Sequence, residues 1–98
     1  LSEGQKRRVS IAAVAASQPE LLLLDEPTVG QDREGLRTLL HALNLLHTRT
    51  GNTIVTVTHD RRCASALCDR AAWLKDGRIE KTGGPELIEA AWGDSAAM

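Results

Sequence analysis

The chain has 98 residues, with 12 Lys+Arg against 13 Asp+Glu and a formal net charge of −1. Hydrophobic residues make up 42% and charged residues 26%, an ordinary balance for a soluble globular domain. This length allows one small domain and argues against two, and the near-zero charge excludes a strongly basic nucleic-acid binder and a long acidic tail. No apolar run approaches the roughly 18 residues that span a bilayer. The opening on Leu1 rather than Met, with no secretory signal, reads as the mark of a fragment or a trimmed chain. Cys63 and Cys68 read as reduced thiols, not as a disulfide framework.

Ser2 followed by Gln5 has capping-box spacing, so a helix is predicted from Glu3 to about Ser17, with Val9, Ile11, Val14 and Ala15 as inward positions. Gln18-Pro19 stops it, because the residue before proline is pushed out of the helical region. Leu21 to Leu24 is a short continuous apolar run between two prolines and fits a strand buried on both faces. Pro27 to Asp32 is a loop containing Gly30. From Arg33, Leu36, Leu39, Leu40, Leu43 and Leu46 recur at three- and four-residue spacings, which predicts an amphipathic helix of roughly four turns ended by Gly51-Asn52. Thr53 to Thr58 is β-rich and predicts a second strand, parallel to the first across a right-handed crossover. A short helix from Arg61 to about Cys68 follows. A hairpin with an Asp76-Gly77 turn comes next, then a last helix from Glu86 to Trp92.

Ligands of parallel α/β sheets sit at the carboxyl ends of the strands. Asp25 and Glu26 follow the first strand and His59 the second, so all three are predicted on one edge. Neighbours on an extended chain point in different directions, so the two carboxylates are expected to have different roles: one to hold a metal, the other to polarise a water. The helix start at Leu1-Ser2-Glu3-Gly4-Gln5 offers unpaired amides that can hold a phosphate, and Gly4 permits close approach. Taken singly, each of these stretches also fits a bland reading: a capped helix, a loop start, a histidine at a strand end.

Leu1-Ser2-Glu3-Gly4-Gln5-Lys6-Arg7-Arg8 resembles the signature motif of ATP-binding cassette (ABC) ATPases, and Leu21 to Thr28 resembles their Walker B strand with its catalytic glutamate. Val29-Gly30-Gln31-Asp32 is similar to the D-loop and Val57-Thr58-His59-Asp60 to the switch-histidine loop, in the family's order. Within the family the chain looks most like the energy-coupling-factor importer ATPases. The resemblance implies an α/β fold, the parallel βαβ core of a P-loop NTPase, incomplete and with a small C-terminal hairpin. It implies ATP and Mg²⁺ as ligands. Glu26 would be the general base, His59 the γ-phosphate switch and Asp25 a Mg²⁺ holder through water. Ser2, Gly4 and Gln5 would close over the ATP of an opposite subunit, and Asp32 would link the two sites. The expected partners are a second ATPase subunit and transmembrane transporter subunits, without nucleic acid, at the cytoplasmic face of the membrane. The expected cargo is a vitamin or a cobalt or nickel ion.

Glu3 stands where the family more often has glycine, and Gln31 where leucine is commoner. No G-x-x-x-x-G-K-[ST] phosphate cradle occurs in the sequence, so residues 1–98 read as the C-terminal portion of one nucleotide-binding domain, inactive alone. Two other readings compete: an ABC-type ATPase of DNA repair or chromosome maintenance, and a non-catalytic interaction module. Pro27-Thr28 and the segment from Asp69 to Ile79 resemble transporters instead. Lys6-Arg7-Arg8 reads as a solvated helix face, His41 and His47 as surface residues, and Trp73 and Trp92 as packing residues.

Overall fold

In a computed structural model, which describes residues 1–90, the first helix starts where its cap dictates. Helix α1 (Glu3–Ala15) carries a full capping box. The Gln5 N–H donates to the Ser2 hydroxyl at 3.1 Å, and the Ser2 N–H donates to Gln5 Oε1 at 2.9 Å. Ile11 and Ala15 are half-buried, but Val9 and Val14 are exposed, contrary to the expected inward set. Val9 and Ile11 are two residues apart and therefore lie on opposite sides of a helix, so one face cannot bury both.

Strand β1 (Leu21–Asp25) and strand β2 (Thr53–Val57) pair in parallel, with Leu21 opposite Thr53 and Asp25 opposite Val57. The crossover between them is α2 (Arg33–Thr50), capped by the Asp32 carboxylate, which accepts the Gly35 N–H at 2.7 Å. It ends at Gly51, whose φ of +67° is the left-handed closure that glycine adopts without steric cost. Leu22 and Leu24 of β1 and Leu36, Leu39 and Leu43 of α2 form the buried core of this unit, which spans Leu1–Asp60. Asn52, just ahead of β2, is buried with its side-chain amide unpaired, while its carbonyl lies 2.6 Å from His47 Nδ1. His47 is thus exposed as expected, yet its ring is engaged.

The expectation that β1 is buried on both faces is corrected. Burial alternates along the strand, with Leu21 53% and Leu23 68% exposed, and Val55 and Val57 of β2 are open in the same way. The leucine face of α2 covers one side of a two-stranded sheet, and among the described residues the other side is left open.

A second unit begins at Arg61. It contains α3 (Arg61–Leu67) and an antiparallel hairpin of β3 (Ala71–Lys75) and β4 (Arg78–Gly83). Asp76 and Gly77, at φ +51° and +75°, supply the two left-handed residues that a tight Asp-Gly turn requires. Lys81 Nζ lies 5.6 Å from the centre of the half-buried Trp73 ring. Residues 85–90 are helical, and Arg61 pairs with Glu89 at 2.7 Å. The end of the helix expected through Trp92, and Trp92 itself, lie outside the described residues. Cys63 is buried and Cys68 half-buried, and neither is in a disulfide. Burial, aided by the Asp69 charge, pushes the Cys68 thiol up. Among the described residues no helix is long and apolar enough to cross a membrane.

The one-sided core makes a direct prediction. Leu43→Ala, at a position 2% exposed, should lower the unfolding free energy by about 2–5 kcal/mol. Leu23→Ala, at the open face, should change it by less than about 0.5 kcal/mol. Urea titrations of the two variants against the parent chain measure both.

Candidate functional site

The strand pairing continues one residue beyond β1. The Glu26 N–H donates to the Val57 carbonyl at 2.7 Å, so the chain leaving β1 stays tied to the end of β2. Glu26 then turns sharply, with φ +47°, a left-handed conformation that costs a residue with a side chain about 1–3 kcal/mol. Pro27, fully buried, follows it. The turn sends the Glu26 carboxylate toward His59, which lies 33 positions on in sequence. Glu26 Oε2 accepts the His59 backbone N–H at 3.4 Å, and Oε1 lies 3.4 Å from His59 Nε2. The carboxylate is mostly covered, at 28% exposure, whereas the imidazole is 95% exposed. Asp25 is exposed, and its carboxylate makes no hydrogen bond or ion pair with the described residues. The two neighbouring carboxylates therefore differ in environment, and what separates them is the left-handed turn at Glu26 rather than alternation along an extended strand.

A second cluster joins the start of α1 to the loop after β1. Gln31 Nε2 donates to the Gly4 carbonyl at 2.9 Å, and Gln31 Oε1 accepts from Arg8 Nη1. Gly4 is buried, and a Cβ there would sit 2.5 Å from the Gly30 carbonyl oxygen. A Cβ on Gly35 would come within 2.7 Å of Gln31 Oε1 and 3.0 Å of Asp32 Oδ1. These glycines let two backbones and one amide side chain meet at contact distance. Asp32 sits at this junction as the cap of α2. Ser2 and Gln5 are exposed and bonded to each other in the capping box, at the end of α1 whose first turn carries free amides. Glu3 points out from that turn, its carboxylate 3.6 Å from Lys6 Nζ.

Two residues read as solvated turn out to be engaged. Arg7 and Arg8 are half-buried. Arg7 Nη1 donates to the Glu26 carbonyl at 3.2 Å and approaches the Asp25 carbonyl at 3.4 Å. The signal that finds them is helical spacing: Gly4, Arg7, Arg8 and Ile11 share one face of α1 at three- and four-residue steps, and that face meets the rest of the unit. Among the described residues no group of three or more His, Cys, Asp or Glu is arranged to hold a metal ion.

The ABC transporter family matches residues 1–29. The chain is 47% identical over 90 residues to the energy-coupling factor transporter ATP-binding protein EcfA2 of Latilactobacillus sakei, covering 92% of this chain and 31% of that protein. It is 51% identical over 91 residues to the cobalt import ATP-binding protein CbiO of Rhodobacter capsulatus, covering 90% of this chain and 31% of that one. The chain belongs to the ABC transporter ATPase family. Its fold agrees: the dimeric structure of the ATP-binding cassette MJ0796, in a post-hydrolysis state bound to ADP and Pi, superposes with a TM-score of 0.78 at 37% identity, over 86% of this chain and 36% of that one. The ABC ATPase chain thus spans about a third of the length of the relatives it matches.

The close approach at Gly4 sets up a test in which the sign is informative. Alanine forms helix better than glycine by about 1 kcal/mol, so Gly4→Ala in an open helix would stabilise. Here the added methyl meets backbone, and the variant should lose about 1–3 kcal/mol in a urea melt.

Proposed function

We propose that residues 1–98 are the C-terminal portion of one nucleotide-binding domain of an ABC importer, and that the whole protein hydrolyses ATP to drive uptake. The observation that carries this reading is the meeting of Glu26 and His59 at the carboxyl edge of the parallel pair. In this reading Glu26 is the general base. A water approaching the γ-phosphorus gives its proton to the Glu26 carboxylate as its oxygen bonds to phosphorus. The bond to the β-phosphate oxygen breaks, leaving ADP and phosphate. The His59 N–H on one carboxylate oxygen fixes the group's orientation, and the His59 ring, exposed beside it, contacts the γ-phosphate. Cover from solvent and a fixed pose are what a base needs in order to act on a single water.

Asp25 fits a role in holding Mg²⁺: it is a hard oxygen donor, exposed at the same strand end and unclaimed by other side chains. With a single such carboxylate, most of the ion's ligands would be waters and phosphate oxygens, and when bound it would neutralise phosphate charge. Ser2, Gly4 and Gln5 at the start of α1 would meet the ATP of a second ATPase subunit, where free amides favour an anion. Asp32, at the junction of α1, the loop and α2, would relay between the two sites. The phosphate cradle would come from the remainder of the nucleotide-binding domain. Transmembrane subunits would provide the path, with this protein held against them at the cytoplasmic face. The resemblance to energy-coupling-factor importers implies a vitamin or a cobalt or nickel ion as cargo, and similarity to a cobalt import ATP-binding protein supports the cobalt.

In the complete protein, Glu26→Gln keeps the shape of the side chain but not its basicity. It should leave ATP binding intact and lower turnover by about 10²–10⁴-fold. Phosphate release and nucleotide binding, measured on the same preparation, check this, and turnover within a few-fold of the parent would remove Glu26 from the role.

A further inference from the structure

We propose that Arg7 is a positioning residue for Glu26, setting the pose of the base by holding the two backbone carbonyls that flank it. The proposal rests on the reading of Glu26 as the base and adds a residue to which that reading gives no part.

Three observations converge. Arg7 Nη1 lies 3.2 Å from the Glu26 carbonyl and 3.4 Å from the Asp25 carbonyl, the oxygens of the two peptide groups on either side of the Glu26 Cα. Glu26 is left-handed, with φ +47°. In an extended strand successive carbonyls point to opposite sides, and one cation cannot reach both. In a helical-sense conformation they swing to the same side, and one nitrogen can bridge them. The conformation that is costly for Glu26 is therefore the one that creates the Arg7 site. The third observation is that the remaining backbone group is held from elsewhere, since the Glu26 N–H donates to Val57. The peptide groups around Glu26 are thus held by β2 through the N–H and by α1 through the two carbonyls, the Glu26 carbonyl also accepting the Val29 N–H at 3.3 Å, so that Arg7 alone bridges the two.

Arg7 is not bonded to the carboxylate, which is directed to His59. Its influence on the reaction passes through the backbone alone. Hydrogen bonds from a guanidinium to carbonyls are charge-assisted and stronger than neutral ones, which suits them to hold a disfavoured conformation. A lysine ammonium is a point donor on a flexible stem and would keep the attraction with a looser geometry.

The test uses the complete ATPase and five variants: Arg7→Met, Arg7→Lys, Glu26→Gln and the double variants Arg7→Met with Glu26→Gln and Arg7→Lys with Glu26→Gln. Arg7→Met should lower kcat by about tenfold to a hundredfold, the range expected when a reacting group is displaced by about 1 Å. KM for ATP should stay within about threefold, because the pose of the base is felt in the transition state. Arg7→Lys should recover part of the loss. In the Glu26→Gln background Arg7→Met should add no more than about twofold to the defect, since two residues acting as one unit are not additive.

A kcat within about threefold of the parent for Arg7→Met overturns the proposal. So does a full repeat of its loss in the Glu26→Gln background, which would mark a general structural role. If Arg7→Met does not fold, Arg7→Lys decides: a partial kcat loss at unchanged KM, absent in the Glu26→Gln background, supports the proposal, and parent-like turnover overturns it. Turnover retained in Glu26→Gln alone would overturn the assignment of the base and this proposal with it, whereas failure of the Arg7 arms leaves that assignment standing.

Discussion

The parallel register of β1 and β2 is the constraint on which the rest of the first unit depends. With Asp25 opposite Val57, the next N–H on β1 reaches the Val57 carbonyl, and Glu26 arrives beside His59. A slip of one residue would exchange Leu22 and Leu24 for Leu21 and Leu23 on the covered face and would carry Glu26 off His59 at the same time. The hydrophobic pattern and the chemistry are therefore set by a single choice. Two strands of five residues pin that choice weakly by themselves. The leucine face of α2 makes it firm, because the wrong register would leave Leu36, Leu39 and Leu43 facing strand positions whose side chains point away.

How α1 is attached contrasts with this. Its largest apolar residues are exposed or half-buried, and Gly4 is its one buried position. What holds it is a set of polar contacts: Gln31 to the Gly4 carbonyl, Arg8 to Gln31, and Arg7 to the chain leaving β1. Net contributions of such bonds are about 1 kcal/mol each, and about 1.5–3 kcal/mol where a charge takes part. Gln31 stands where the family more often has leucine. Its amide donates to one partner and accepts from another, a double engagement that no leucine could provide. Glu3, the other departure, is directed to Lys6 and away from the backbone of the turn.

Much of the fold could be read from the sequence because its punctuation is local. Ser2 with Gln5, Asp32, Gly51 and the Asp76-Gly77 turn each act on their own neighbours, and each starts or ends an element where expected. The leucine spacing of α2 named its buried face for the same reason. Glu26 and His59 were legible as ends of adjacent parallel strands. For Arg7 and Arg8 helical spacing marks the inward face but not the partners, because the acceptors are two backbone carbonyls and a loop amide, and no pattern of side chains announces where a carbonyl will point. Leu21 to Leu24 misled in another way. A continuous apolar run says that both faces suit burial, and the covering of each face depends on elements elsewhere.

The left-handed Glu26 sets two selective pressures against each other. Glycine at position 26 would adopt φ +47° without steric conflict and would relieve part of the strain that the glutamate carries. The same change would delete the carboxylate beside His59. Under the proposed role of Glu26 as the base, that variant would relieve strain and abolish turnover, so selection for thermal tolerance and selection for turnover would act on position 26 in opposite directions. On that reading, position 26 is where robustness and activity would be set against each other.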